Sequence, residues 1–363
     1  MYKTAKAAYM TGVNTPLEIR EYPLTVPGAG MALLEMIAGG VCGTDLHILR
    51  GKIPVGTPLA LGHEFVGRIV EFGGTDRAER DSVPHAYETD LSVGDAVIAT
   101  IACPCGKCKL CVSGDDANCE NMGLSNGGDP DIPPHFYGGY GQYNYSPVKN
   151  LVKIPRSLDP TAVCVFACAG PTVMHAARLA EQAGYNLKDA ETAVVQGLGP
   201  VGFFAVAYLA SLGIRRIIAV TAGRKPRRDA LALELGATEV LTAAESGCIT
   251  GADLAVEASG NPAAIQQGLS MLRNRGVYLV PGQYSDSGGA LIEPQLITFK
   301  ALRIIGSSQY STSDIIRYLS FMEENLNLRE TVLSLATQYP VVDANRAIAD
   351  AGAGKNIKTL LVL

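Results

Sequence analysis

Four cysteines, Cys105, Cys108, Cys111 and Cys119, follow the spacing C-x2-C-x2-C-x7-C. Short knuckles of this kind bring thiolates to one point, and zinc takes four sulfur or nitrogen ligands in a tetrahedron. The spacing therefore predicts a structural zinc lobe. Cys103, two residues upstream, is a further thiol that competes with Cys105 for the same ion. Three more segments carry metal-capable groups: Gly40-Val41-Cys42-Gly43-Thr44-Asp45-Leu46-His47, Leu61-Gly62-His63-Glu64-Phe65-Val66-Gly67 and Ala167-Cys168-Ala169-Gly170-Pro171-Thr172. Taken singly, each reads better as a packed thiol or a core histidine. Their joint occurrence in this order, beside the cysteine lobe and a dinucleotide loop, points to a second metal.

That loop is Gly197-Leu198-Gly199-Pro200-Val201-Gly202, a G-x-G-x-x-G that follows an apolar strand and opens a helix. The first glycine permits the tight turn, the second lets the backbone approach a pyrophosphate, and the third allows the helix to pack closely on the strand. Orphan N–H groups at the helix start then face the phosphates. The end of the next strand selects the cofactor, and an NAD-binding chain usually places a carboxylate there. Here Thr221 takes that position, followed by Ala222, Gly223, Arg224 and Lys225, with Arg227 and Arg228 just beyond. A guanidinium suits a 2′-phosphate because it presents a planar fork of donors. NADP is therefore expected over NAD.

Two kinds of element must position these groups. Up to about residue 160 the chain reads as short strands and turns, at 7–9, 17–20, 31–37, 65–72 and 96–99. Beyond it, strands alternate with helices: 193–196, helix 200–212, 216–220, helix 226–235, 253–257, helix 265–272 and 276–280. Such alternation implies a parallel sheet covered by helices, an α/β class. The pattern ends near 303–306. A helix at 314–324 and a strand at 359–363 follow, as if the chain returned to its first part. The polar stretch 75–90 lacks periodicity and reads as a surface loop or insertion.

With these motifs together, the chain resembles the zinc-dependent alcohol dehydrogenases of the medium-chain dehydrogenase/reductase family over nearly its whole length. The resemblance implies a GroES-like β-barrel catalytic domain (1–160 and 307–363), a Rossmann nucleotide-binding domain (161–306) and an active site in the cleft between them. It assigns Cys42, His63 and Cys168 to the catalytic zinc, with Glu64 able to approach the metal. Asp45 would orient His63. Thr44 would bond the substrate oxygen and pass its proton through the cofactor ribose to His47. Thr172 would pack against the nicotinamide. Cys105, Cys108, Cys111 and Cys119 would hold a structural zinc. Cys164, four residues before Cys168, competes for the same role; the Cys-Ala-Gly-Pro-Thr context favours Cys168. The implied reaction moves a hydride between an alcohol (alkanol, polyol or sugar) and NADP or NAD. A quinone or enone reductase on the same scaffold, or a non-catalytic relative, would lack the zinc ligands or the relay. Residues 303–307 resemble the edge strand through which such proteins pair, so a homodimer or homotetramer is expected.

Composition narrows the partners. Among 363 residues the formal net charge is −5, which argues against nucleic acid or anionic membranes as the main partner. No stretch has the length and apolarity of a membrane span, and the first residues lack an apolar core of signal-peptide length. An odd total of nine cysteines fits a reducing compartment better than a disulfide framework. The expectation is a cytoplasmic enzyme working on a small molecule.

Overall fold

The computed structural model describes residues 3–74, 90–285 and 287–363; the stretch expected to form a surface loop at 75–90 lies outside them except for Asp90. The chain divides into two compact units, Met1–Cys168 with Ser311–Leu363, and Ala169–Tyr310.

In the first unit the strands are β1 (Thr4–Met10), β2 (Glu18–Pro23), β3 (Met31–Val41), β4 (Leu59–Ala60), β5 (Glu64–Phe72), β6 (Ala96–Ala99), β7 (Ala102–Cys103), β8 (Gly123–Leu124), β9 (Tyr143–Pro147) and β10 (Leu151–Lys153). A seven-stranded sheet runs β10-β6-β5-β3 and continues into two strands from the far end of the sequence, with β9 pairing β3. A three-stranded sheet, β2-β1-β4, and the β7-β8 ribbon complete the unit. The long β3 is the organiser. Its apolar residues Ala32, Leu34 and Met36 enter a core shared with Phe65, Ile69 and Val97, as expected of a strand inside a sheet. Its glycine end is shaped for the site: Gly40 pairs with Glu64, and a Cβ on Gly40 would lie 2.0 Å from Glu64 Oε2. Only glycine leaves room for that carboxylate.

The helix Pro160–Val165 starts on a firm cap, with Asp159 accepting from Thr161 N at 2.8 Å and proline at the first turn. From sequence, residues 161–168 open the alternating region. They instead stay with the first unit, where this helix packs against β3 and β5. Cys164 and Cys168 therefore belong to the same unit as Cys42 and His63.

The second unit is a parallel sheet of β11 (Thr192–Gln196), β12 (Arg216–Thr221), β13 (Glu239–Thr242), β14 (Ala252–Glu257), β15 (Leu272–Val280) and β16 (Arg303–Gly306), in the order β13-β12-β11-β14-β15-β16. The order reverses between β11 and β14, which marks the ligand crevice of a doubly wound sheet at the strands' carboxyl ends. The helix Pro200–Ser211 is buried along Gly202–Leu209, so its sequence is apolar all round rather than on one face. The first unit is completed by β17 (Ala336–Pro340) and β18 (Lys358–Val362), which is inserted between β3 and β17. Among the described residues no helix is long and apolar enough to cross a membrane.

Candidate active site

Cys42 leaves β3 and caps the helix Gly43–Leu49; its N–H donates to Asp45 Oδ2 at 2.9 Å. His63 precedes β5, and its Nδ1 lies 3.3 Å from Asp45 Oδ1. Asp45 is buried and thus holds the capping turn and the histidine together. Cys168 completes the group. Ligand atoms of Cys42, His63, Glu64 and Cys168 all lie within 4.8 Å of one another. Cys164 is wholly buried and stands outside this cluster, and burial pushes its thiol far up.

The electrostatics of the cluster suit a cation. The hydrogen bond from Cys168 draws the Cys42 thiol well below its usual range, against the cost of burial and with His63 assisting. The same bond, together with burial, pushes Cys168 well above it. Burial pulls His63 down, yet Asp45 and Cys42 carry it well above its ordinary value. Two thiols and an imidazole thus compete for protons in a dry place, and a zinc ion would displace those protons. With Nδ1 held by Asp45, the histidine's other nitrogen is left for a metal. This donor set fits the open zinc site of a dehydrogenase.

Sequence reasoning missed Lys358. Its Nζ donates to Glu64 Oε2 and to Val41 O (the latter at 3.3 Å), and the pair is buried, with side chains 3% and 1% exposed. Burial alone would lower the ammonium, but Glu64 and Cys42 raise it strongly. The only local signal is a lone lysine opening the apolar run Lys358-Thr359-Leu360-Leu361-Val362.

Thr44 Oγ1 lies 3.8 Å from Cys42 Sγ. His47 is one turn further along the same helix. Burial and the nearby Lys52 and Arg50 hold its imidazole below the ordinary value, and its Nδ1 is buried with no hydrogen-bond partner among the described residues.

The lobe gathers Cys105, Cys108, Cys111 and Cys119 within 4.8 Å. Backbone N–H groups aim at the sulfurs, Cys108 N to Cys105 Sγ at 3.4 Å and Cys105 N to Cys119 Sγ at 3.2 Å. Hydrogen bonds from the Lys107 and Cys108 backbone bring Cys105 down to about 6. Cys103 is not in the cluster; it accepts from Asn150 Nδ2 at 3.0 Å.

In the second unit the dinucleotide loop has the required shape. Gly197 has φ +98°, and a Cβ there would press on Ser259. A Cβ on Gly202 would lie 1.8 Å from Gly197 O, while one on Gly199 would meet nothing within 4 Å. The loop is therefore tight behind and open in front, a cradle for a pyrophosphate. Pro200 and Val201 form the first turn of the helix behind it. Thr172 is buried in the helix Ala169–Gln182. Thr221 ends β12 and donates to Gly223 O at 3.3 Å. Arg224 is already engaged: Nη1 reaches Val240 O at 2.8 Å and Nη2 reaches Glu245 Oε2 at 2.7 Å. Arg228 donates to Leu198 O of the loop at 2.8 Å. Asp229, five residues on, lies 3.8 Å from Arg224 Nη1; Glu245, from the turn after β13, was not foreseen, and topology alone delivers it.

Comparison with known proteins agrees with this arrangement. Residues 28–156 match the family described as alcohol dehydrogenase GroES-like domain, and residues 200–324 match zinc-binding dehydrogenase. A probable D-xylulose reductase A of Emericella nidulans is 30% identical, with 89% of this chain and 86% of that protein covered. The 5-exo-hydroxycamphor dehydrogenase of Pseudomonas putida is 29% identical over 98% of both chains. Among solved structures, an alcohol dehydrogenase of Thermotoga maritima superposes with a TM-score of 0.88, at 27% identity and 99% coverage of each chain. The chain belongs to the zinc-dependent alcohol dehydrogenases of the medium-chain dehydrogenase/reductase family. It is an oxidoreductase acting on alcohols with a nicotinamide cofactor.

Proposed function

We propose that this enzyme interconverts a secondary alcohol and its ketone, of the alkanol, polyol or sugar class, with NADP preferred over NAD. The observation that carries the reading is the convergence of Cys42, His63, Glu64 and Cys168 within 4.8 Å. Cys42, His63 and Cys168 would hold the catalytic zinc, leaving a fourth position for substrate. When bound, zinc supplies Lewis acidity to the substrate oxygen, and the nicotinamide exchanges hydride with the carbinol carbon.

The chain's own residues do the rest. Thr44, at the start of its helix and next to Cys42, is the hydroxyl that accepts the substrate proton. His47, kept neutral by burial and by its cationic neighbours, is the outlet for that proton. Asp45 fixes the histidine tautomer. Lys358 balances Glu64, so the carboxylate adds no net charge beside the thiolates. The cysteine lobe, with four sulfurs and no open position, staples its loop.

The similarity to a hydroxycamphor dehydrogenase and a xylulose reductase supports a secondary hydroxyl as the reacting group. The NADP preference rests on Thr221 standing where a carboxylate would exclude the 2′-phosphate, and on Arg224, Arg228 and Gly223 around it. Strand β16 ends the parallel sheet with Ile304 44% exposed, and Phe299 nearby is 84% exposed, which supports pairing of two copies as a homodimer or homotetramer.

A screen of alcohols and ketones with both cofactors, followed at the nicotinamide absorbance, tests the substrate class and the cofactor. Cys42→Ser and His63→Ala should abolish turnover while cofactor binding persists. Full activity in either variant would remove the metal assignment.

A further inference from the structure

Tyr140 lies in the glycine-rich run Gly138-Gly139-Tyr140-Gly141, and nothing in its sequence marks it for the reaction. The structure puts it against the candidate metal site from two sides. Its hydroxyl donates to Asp45 Oδ2 at 2.8 Å, and the side chain is among the most deeply buried in the protein, with the residue 1% exposed. Asp45 Oδ2 also accepts from Cys42 N, while Oδ1 faces His63 Nδ1. The Tyr140 ring lies against Gly62, the residue just before His63: a Cβ on Gly62 would fall 2.6 Å from the ring. Gly62 has φ +90°, so the close approach and the backbone conformation both call for glycine there. The main chain is tied down as well. Tyr140 N donates to Leu61 O at 3.1 Å, Gly139 N donates to Gly62 O at 3.0 Å, and Ala8 N donates to Tyr140 O at 2.8 Å.

We infer that Tyr140 is a positioning residue for the catalytic metal: its hydroxyl fixes the Asp45 carboxylate, and its ring and backbone fix the turn that presents His63. The chemistry explains why such a group is useful. A buried carboxylate with one oxygen on the histidine can rotate unless its other oxygen is also held. Cys42 N supplies one donor to that second oxygen, and the tyrosine hydroxyl supplies a second from a different direction. Asp45 then has one orientation, His63 one tautomer, and its remaining nitrogen points where the two thiols do. Partners at this remove from a metal typically contribute about 10- to 100-fold in affinity. The inference rests on the reading that Cys42, His63 and Cys168 bind zinc.

Tyr140→Phe is the test, because it keeps the ring packed on Gly62 and removes only the hydroxyl. Zinc release to a colorimetric chelator is measured on the zinc-loaded enzyme, and the slower or faster phase is assigned with Cys42→Ser, which keeps only the lobe ion. The expected result is release from the catalytic site at least about tenfold faster, with lobe release unchanged. In an Asp45→Asn background, removal of the hydroxyl should add less than a twofold effect, since the tyrosine acts through the carboxylate. Unchanged release from the catalytic site overturns the inference. So does equal acceleration at both sites, which would mark a general loosening, or a full additional effect on top of Asp45→Asn. Wild-type protein that binds zinc only in the lobe overturns the site reading, and this inference with it.

Discussion

Replacing Lys358 with methionine isolates the buried charge pair beside the candidate metal site. Methionine fills much of the space of the lysine stem but offers no charge, so Glu64 keeps its burial and loses its cation. The two side chains are 3% and 1% exposed, which leaves little solvent screening. Removing one member of such a pair costs about 3–5 kcal/mol. Glu64 can limit that cost by taking up a proton. Burial already pushes its carboxyl up to about 7, against the pull of Lys358, and without the lysine it moves further up. A carboxyl whose folded value exceeds its unfolded one holds the proton more tightly when folded. Its penalty is absent below the unfolded value of about 4.3 and grows by about 1.4 kcal/mol per pH unit above it. Wild-type Glu64 already carries this penalty up to about pH 7, so the variant's extra loss through Glu64 is near zero at pH 6 and roughly 1.5 kcal/mol at pH 8. The chain has no tryptophan, so urea unfolding of the metal-free protein is followed by far-ultraviolet ellipticity. Adding Glu64→Gln to Lys358→Met should abolish the pH slope. A single variant within about 1 kcal/mol of wild type, with no change between the two pH values, would refute the reasoning.

Arg224→Ala should weaken NADPH binding by tenfold or more and NADH binding by less than threefold, by the usual strength of a charge-assisted bond to phosphate; equal losses, measured by titration, would show that the basic cluster does not select the phosphate. Elemental analysis should find about two zinc ions per chain, and Cys111→Ser should lower this to about one while the remaining ion still supports turnover after brief assay at low temperature. Asp253 accepts from Glu191 N at 2.9 Å and Thr192 N at 2.8 Å, and it also pairs with Arg273. Despite the cost of burial, Arg273 and these N–H groups lower its carboxyl. Its contribution is therefore present above the unfolded value of about 3.9 and fades as pH falls through the depressed folded one. Asp253→Asn should cost about 1–3 kcal/mol at neutral pH and flatten the acid limb of a melting-temperature profile.

The parts of the site legible in sequence are those whose geometry is local. The cysteine lobe closes within fifteen residues, 105–119, and its spacing alone sets the sulfurs together. The loop 197–202 is one turn, and its glycines have the contacts that its order implies. The alternation of strands and helices gave the parallel sheet because each unit of it is short-range. What stayed hidden is set by strand order. Lys358 meets Glu64 across 294 positions only because β18 enters between β3 and β17. Glu245 meets Arg224 because β13 lies beside β12. Tyr140 meets Asp45 through a loop without periodicity. The helix Pro160–Val165 shows the converse: its local pattern fits either unit, and only packing assigns it to the first.

The late insertion of β18 also bears on how the site comes into being during translation. Cys42, His63 and Glu64 leave the ribosome early, but the edge of β3 that β18 covers stays bare, and the glutamate stays without its counter-ion, until residue 358 has emerged. A nascent chain in that condition has an unpaired strand beside reactive thiols, an invitation to aggregation and to oxidation. Charge neutralisation beside these thiols therefore waits for a strand that follows Glu64 by 294 positions.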